Sequence, residues 1–128
     1  MYSSPLQVYE TVNKTTMSGS KIEASVLNQA ALRLKECRDR WDAVDRNEKL
    51  DAAIKFNQQI WSILQAELVK PDNPLPKQIR QNLLTLSAFI DKQIFKIMAF
   101  PSPEKLNIVI DINRNIAAGL IQAASAGR

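Results

Sequence analysis

Side chains able to carry out chemistry are few in this sequence. Histidine is absent, which removes the commonest general base and every Ser-His or Cys-His arrangement. The three glycines stand apart at positions 19, 119 and 127, so no glycine-rich loop can hold a phosphate group. Cys37 is the only cysteine, and the apolar residues Leu27, Ala30 and Leu34 lie at helical offsets from it, which predicts a packed thiol rather than a nucleophile. We therefore predict no enzyme activity, no catalytic residue, no cofactor and no small-molecule substrate.

Acidic residues recur every three positions across one stretch, which raises the question of a metal site. They are Glu36, Asp39, Asp42, Asp45, Glu48 and Asp51. Known metal sites in helical bundles combine inward carboxylates with Glu-x-x-His pairs, whereas basic residues alternate with the acids here. We expect a solvated, salt-bridged surface and no bound metal.

Two asparagines, Asn57 and Asn113, interrupt otherwise apolar helical stripes. A buried amide must find hydrogen-bond partners, so one interpretation is that each asparagine fixes the register of its helix. The other is that they belong to a partner-binding surface, together with Trp61 one turn beyond Asn57 and with Asp111 and Arg114 beside Asn113. Trp and Arg are enriched at binding hot spots, which motivates the second interpretation.

The apolar periodicity predicts long helices that position these residues. A capping-box pattern at Ser20 to Glu23 starts the first helix, which should run to about residue 43. Asp45 predicts the N-cap of the second helix, which must end before the proline-rich segment 71–76.

A third helix should open at Pro76 or Lys77 and end near Phe100. Ser102 and Pro103 form an N-cap and first-residue pair that predicts the start of a fourth. Its Ile- and Val-rich beginning would also suit a strand, but the later apolar spacing favours a helix. The predicted fold is all-α, an antiparallel bundle of about four long helices in one domain, residues 20–125. Residues 1–19 should form a short, loosely ordered N-terminal segment.

The fourth helix carries more apolar residues than one buried stripe needs. They are Leu106, Ile108, Val109, Ile110, Ile112, Ile116, Ala117, Leu120 and Ile121. Such a helix is either central to the fold or lends a face to a partner helix. We therefore add Ile116 and Leu120 to the predicted partner-binding residues.

Composition limits the remaining classes of partner. The chain has 128 residues, 45% hydrophobic and 23% charged, as expected for a globular domain. Its longest apolar run, Ile116 to Ile121, is far too short to span a membrane, and no secretory signal is visible, so we expect a cytoplasmic protein without a membrane partner. The net charge of +4 is spread among acids, and the densest basic cluster, residues 33–40, includes Glu36 and Asp39. A solvated helix face explains this cluster better than RNA binding does.

Three segments together resemble the FlaF family of flagellar biosynthesis regulators. They are FNQQIWSIL at residues 56–64, NPLPKQIRQNLLTLSAFI at residues 73–90 and VIDINRNIAAGL at residues 109–120. The resemblance spans roughly residues 1–122, and its sharpest element is the Asp-Ile-Asn-Arg sequence at 111–114.

This resemblance implies a non-catalytic positive regulator of flagellin synthesis and export in flagellum biogenesis. It implies flagellin as the protein partner, bound as by an export chaperone or adaptor, and possible association with the regulator FlbT. The alternative is a post-transcriptional regulator of flagellin expression that acts with FlbT or on flagellin mRNA. The residues that match the family motif are Asn57, Trp61, Asp111, Asn113 and Arg114, followed by Gly119 and Leu120. Close approach of another helix, within the chain or from flagellin, would explain a glycine inside a helix.

Overall fold

The computed structural model describes the backbone of residues 19–126 and the side-chain exposure of residues 21–122. Four α-helices form in this part of the chain: α1 Gly19–Asp39, α2 Arg46–Leu68, α3 Lys77–Ala99 and α4 Leu106–Ala126. A short 3-10 turn, Pro103–Lys105, precedes α4. These described residues contain no strand, so the predicted all-α class is confirmed. The predicted N-terminal segment lies outside the described residues, apart from Gly19.

The four helices contact one another in a ring. Helix α1 packs against α2 and most extensively against α4, whereas α3 packs against α2 and more sparsely against α4. Short connections between consecutive helices produce antiparallel neighbours. Ala24, Ala30 and Ala31 on α1 and Ala117 on α4 are fully buried, and small side chains let helices approach closely. The predicted antiparallel bundle of four long helices is therefore confirmed.

The first helix ends earlier than predicted, at Asp39 rather than near residue 43, and begins at Gly19 rather than Ser20. Beyond Asp39 the amide of Ala43 donates to the carbonyl of Arg40 at 3.0 Å. This three-residue spacing closes a tight turn instead of continuing the α-helix. The apolar pattern that reaches Trp41 therefore extends past the helix itself.

Two of the predicted N-cap residues, Asp45 and Ser102, occupy the cap position without making the expected side-chain hydrogen bond. Asp45 precedes α2 with φ −92° and ψ 15°, outside the extended region in which a cap side chain reaches the free amides. Ser102 precedes the 3-10 turn with an extended backbone, and its hydroxyl also makes no cap bond. The side-chain part of both predictions is wrong. Pro103, predicted as the first residue of the fourth helix, begins the 3-10 turn instead, and α4 starts at Leu106.

The proline-rich connection between α2 and α3 is closed by Asn73. Its Nδ2 donates to the carbonyl of Glu67 at 3.0 Å, and its Oδ1 accepts from the amide of Leu75 at 3.0 Å. The side chain thus supplies hydrogen bonds that the prolines cannot make. Leu75 packs against the core cluster, so this turn fixes where α3 starts.

Candidate functional site

A polar cluster lies in the middle of the apolar core, where it joins two helices that have no close backbone contact. It consists of Asn57 and Trp61 on α2 and Asn113 on α4. The indole Nε1 of Trp61 donates to Oδ1 of Asn113 at 2.9 Å, and Nδ2 of Asn113 donates to Oδ1 of Asn57 at 2.7 Å. All three side chains are at most 1% exposed. Both buried asparagines therefore have hydrogen-bond partners, which the interpretation that they fix helix register requires.

The indole determines how this polar cluster is arranged. An indole N–H can only donate, so Asn113 must present its oxygen to Trp61 and its NH₂ group to Asn57. Asn57 must then present its oxygen to Asn113, which turns its own NH₂ group elsewhere. That group, Nδ2 of Asn57, is buried without a hydrogen-bond partner among the described residues. The cluster therefore contains two hydrogen bonds and ends on an unsatisfied donor, which is costly in an apolar core.

The predicted partner-binding residues fall into three different environments. Asn57, Trp61, Asn113 and Leu120 are buried, Ile116 is half-buried, and Asp111 and Arg114 are exposed. In this conformation the buried residues hold the bundle together and do not present a surface. Their assignment to partner binding stays a prediction, and direct contact is open only to the exposed and half-buried members.

The solvent-exposed face of α4 is bounded by two flanks. Asn107 Oδ1 accepts from Arg38 Nη1 at 2.9 Å, so the flank that carries Asn107 faces α1. Arg114 and Ile121 follow at seven-residue steps and share this flank. Ile116 belongs to the other flank, which the ring of helices places next to α3. One docked helix therefore cannot cover both Arg114 and Ile116.

An apolar row runs along the α3-facing flank of α4, and we call it the α4 stripe. It consists of Ile108, Ile112, Ile116 and Gly119, at spacings of four, four and three residues. Ile108 is 42% exposed, Ile112 and Ile116 are half-buried, and Gly119 is exposed. The core positions of α4, which are Leu106, Val109, Ile110, Asn113, Ala117 and Leu120, are buried, whereas this row stays at least partly accessible.

Gly119 has no packing partner among the described residues. A Cβ built on it meets no atom within 4 Å. The intramolecular explanation of this glycine, close approach of another helix of the bundle, is therefore wrong for the described part of the chain. A glycine in a helix costs about 1 kcal/mol relative to alanine, and nothing in the bundle offsets that cost.

Sequence reasoning missed the surface of α3. Phe89, Phe95, Met98 and Phe100 are exposed there or directly after it. The buried residues of α3 are Leu83, Ser87, Ile90, Ile94 and Ile97. The available sequence signal was the number of large apolar residues that this helix carries beyond those positions.

A cavity of about 430 Å³ lies beside the turn between α1 and α2. Its charged lining residues are Arg33, Glu36, Arg40, Asp45, Arg46 and Lys49. The guanidinium groups of Arg33 and Arg46 lie 4.1 Å and 4.2 Å from the ring centroids of Phe56 and Trp41. Acids are mixed with the bases here, as the sequence indicated.

Cys37 also lines this cavity, but its thiol is not activated as a nucleophile. The side chain is 6% exposed, and burial, followed by the charge of Glu36, raises the pKa of its thiol. A raised pKa keeps the thiol protonated and unreactive at neutral pH. This agrees with the prediction of a packed small side chain.

The acidic series forms local ion pairs rather than a converging site. Asp39 contacts Lys35 at 2.9 Å and Arg38 at 3.1 Å, and Asp51 contacts Lys55 at 2.9 Å. Hydrogen bonds from Lys35 and Arg38 lower the pKa of Asp39. Within the described residues no three metal-ligating side chains are grouped so as to hold an ion.

One carboxylate outside that series is unusual. Burial, with the nearby Glu67 carboxylate, raises the pKa of Glu23 to about 7. Lys70 forms an ion pair with Glu67 at 2.8 Å rather than with Glu23. Glu23 on α1 and Glu67 on α2 thus lie close enough for their charges to interact.

Comparison with known proteins gives one match. A family model described as "Flagellar protein FlaF" matches residues 5–120. No curated protein sequence and no solved structure matches the chain. In the part of the chain that the structure describes, no helix is long and apolar enough to cross a membrane.

Proposed function

This chain belongs to the FlaF family of flagellar proteins, and on that basis we propose that it binds flagellin without catalysis. In this proposal it acts as an export chaperone or adaptor and so promotes flagellin synthesis and export. The absence of histidine, together with the absence of an assembled nucleophile and base among the described residues, supports a binding role over an enzymatic one.

The observation that carries the proposal is the α4 stripe. Three isoleucines at one helical spacing remain accessible on the flank beside α3, where the two helices make few contacts. On the flank of α3 opposite Ser87, Leu86 is half-buried and Phe89 is exposed. Two apolar walls with few mutual contacts form the type of groove that receives an amphipathic helix.

Gly119 gives this groove a place for close approach. Because no described atom lies within 4 Å of its missing Cβ, the backbone of a docked helix can come nearer there than at any alanine. A glycine that destabilises the free helix is accounted for when a partner occupies the space. We therefore propose that an amphipathic helix of flagellin binds in the groove formed by the α4 stripe, Leu86 and Phe89.

The test compares two isoleucines on one helix. Ile108 in the stripe and Ile121 on the opposite flank are 42% and 44% exposed, so the same change to aspartate should perturb the fold similarly. Purified flagellin should co-elute with the wild-type chain and with Ile121→Asp in size-exclusion chromatography. Ile108→Asp should weaken binding by more than about 10-fold, since a charge replaces roughly 1–2 kcal/mol of apolar burial.

Two results would count against this proposal. Separate elution of flagellin and the wild-type chain at micromolar concentrations would show that the chain does not bind flagellin. Equal weakening of flagellin binding by Ile108→Asp and Ile121→Asp would show that the groove is not the binding site. Circular dichroism spectra of both variants check that the helices are intact.

A second candidate is a post-transcriptional regulator that acts with FlbT or directly on flagellin mRNA. The α1–α2 cavity favours it, because Arg33, Arg40, Arg46 and Lys49 line one concave surface. Binding through phosphates weakens steeply as salt rises. A gel shift with flagellin mRNA at low salt that disappears at higher salt and in Arg40→Glu would support direct contact, whereas no shift at low salt would exclude it.

A further inference from the structure

The net positive charge of the described residues is concentrated on α3. This helix carries Lys77, Arg80, Lys92 and Lys96 against the single acid Asp91, a net charge of +3. The other helices are nearly balanced, with four bases to three acids on α1, three to three on α2 and one to one on α4. An even mixture of charges, as the composition suggested, is therefore true of the other three helices but not of α3.

The C-terminal end of α3 also exposes large apolar side chains. Phe95, Met98 and Phe100 are 70%, 54% and 77% exposed. Lys105 lies with its Nζ 5.6 Å from the centroid of the Phe100 ring and donates to the Phe100 carbonyl. Exposed apolar side chains that cluster beside charges are typical of interaction sites. We call Phe95, Met98 and Phe100, with Lys92 and Lys96, the α3 end patch.

The α3 end patch is separate from the groove beside α4. Ser87 Oγ accepts from Nε2 of Gln65, so the flank of α3 that carries Ser87 faces α2. Phe95 and Met98, eight and eleven residues further on, return to this same side of the helix. Leu86 and Phe89, which wall the groove, lie on the other side. Lys96, seven residues after Phe89, borders the groove side, so a partner on Phe95 and Met98 leaves Leu86 and Phe89 uncovered and approaches the groove only at Lys96.

We propose that the α3 end patch binds an acidic amphipathic helix of a partner protein. Apolar residues of that helix would cover Phe95, Met98 and Phe100. Its carboxylates would lie opposite Lys92 and Lys96, which outnumber the single acid at this end of α3, the exposed Asp91. Charge complementarity of this kind sets the rate and selectivity of association, and buried aromatic anchors set its lifetime. The proposal concerns a second surface and does not depend on flagellin binding.

Charge and burial disfavour the other occupants. A second copy of the chain, docked symmetrically, would set Lys92 and Lys96 against the same lysines. A membrane surface would find only Phe95, Met98 and Phe100 to insert, because the other large apolar residues of this part of α3, Ile90, Ile94 and Ile97, are buried in the core. An acidic helix needs neither like-charge contact nor unfolding of the bundle.

The experiment uses the full-length, isotope-labelled chain and two synthetic helical peptides with one leucine stripe. One peptide carries glutamate beside the stripe and the other carries lysine at the same positions. We expect the acidic peptide to shift amide resonances at residues 92–100, and to bind at least 10-fold more tightly than the basic peptide at low salt. The affinity should fall as sodium chloride is raised.

Variants locate the binding to the patch. Phe95→Ser should weaken the acidic peptide by more than 10-fold, and Lys92→Glu with Lys96→Glu should reverse the preference between the two peptides. Lys77→Glu, an equal charge change at the other end of α3, should change the affinity less than about threefold. Unchanged circular dichroism and thermal midpoints establish that each variant is folded, as expected at exposed positions.

Four outcomes would overturn the proposal. They are no binding of the acidic peptide at millimolar concentration, equal binding of both peptides, and resonance shifts confined to residues outside 92–100. The fourth is that the chain does not bind the acidic peptide but binds phosphatidylglycerol vesicles, or forms a dimer, and that Phe95→Ser abolishes this binding or dimer. In that case the occupant is a lipid surface or a second copy rather than an acidic helix.

Discussion

The two asparagines of the polar cluster should differ in their contribution to stability, although both are fully buried. Truncation of Asn113 to alanine leaves two groups without partners, the indole N–H of Trp61 and the Oδ1 of Asn57. Truncation of Asn57 leaves one group without a partner, the Nδ2 of Asn113, and at the same time removes the Nδ2 that is already unsatisfied. Asn113→Ala should therefore be the more damaging change.

The magnitudes follow from the cost of buried polar groups that lose their partners. At about 1–3 kcal/mol per group, Asn113→Ala should lower the free energy of unfolding by roughly 2–5 kcal/mol. Asn57→Ala should lower it by about 1–2 kcal/mol, because one loss is partly offset by one relief. Against a typical total of about 5–15 kcal/mol for a domain, this difference is large enough to measure.

Urea denaturation of the full chain is the assay, with the slope m compared among variants to establish that the same transition is observed. Asn115→Ala is the matched control, because Asn115 is exposed on the same helix and should change stability by less than about 0.5 kcal/mol. The double variant should cost less than the sum of the single variants, since the two side chains bond each other. Equal effects of Asn57→Ala and Asn113→Ala, or the reverse order, would refute the reasoning.

Two further predictions concern single residues. Gly119→Ala should raise the free energy of unfolding by about 0.5–1 kcal/mol, since the added Cβ meets no described atom and alanine is the better helix former; Ala118→Gly, also exposed, should lower it by a similar amount. If Gly119 serves close approach of flagellin, Gly119→Ala should also weaken flagellin binding, and unchanged or lower stability would contradict the packing argument. Glu23 has a pKa of about 7 in the folded chain, above its value of about 4.3 in an unfolded chain, so the folded state holds the proton more tightly. The free energy of unfolding should then fall by roughly 1–3 kcal/mol as pH rises from about 4 to 7, and Glu23→Gln should remove this decline. If the variant shows the same pH dependence as the wild-type chain, other groups cause the decline.

The sequence predicted the helices well because their determinants are local. Apolar spacing and the prolines between residues 71 and 76 and at 101 and 103 mark the helices and their breaks. The end of α1 was missed because the apolar pattern continues to Trp41 through a turn that one three-residue hydrogen bond closes. Local patterns report which side chains are buried more reliably than where a helix stops.

The polar cluster was partly predictable for a different reason. A polar residue in an apolar stripe identifies Asn57 and Asn113 as unusual, but not that Trp61 and Asn113, 52 positions apart, meet across the bundle. That meeting depends on how α2 and α4 are arranged around the core. The α3 end patch was missed because Phe95 and Met98 resemble core residues until the helix is oriented.

Hydrogen exchange tests the central claim, that flagellin occupies the groove beside the α4 stripe, most directly. Amide exchange of the full chain would be measured alone, with purified flagellin, and with flagellin and the Ile108→Asp variant. We predict that flagellin slows exchange in α4 between residues 108 and 119 and in α3 around residues 86–89, and that Ile108→Asp abolishes this protection. Flagellin-dependent protection confined to α1 and α2, or none in a mixture shown to form a complex, would contradict the account.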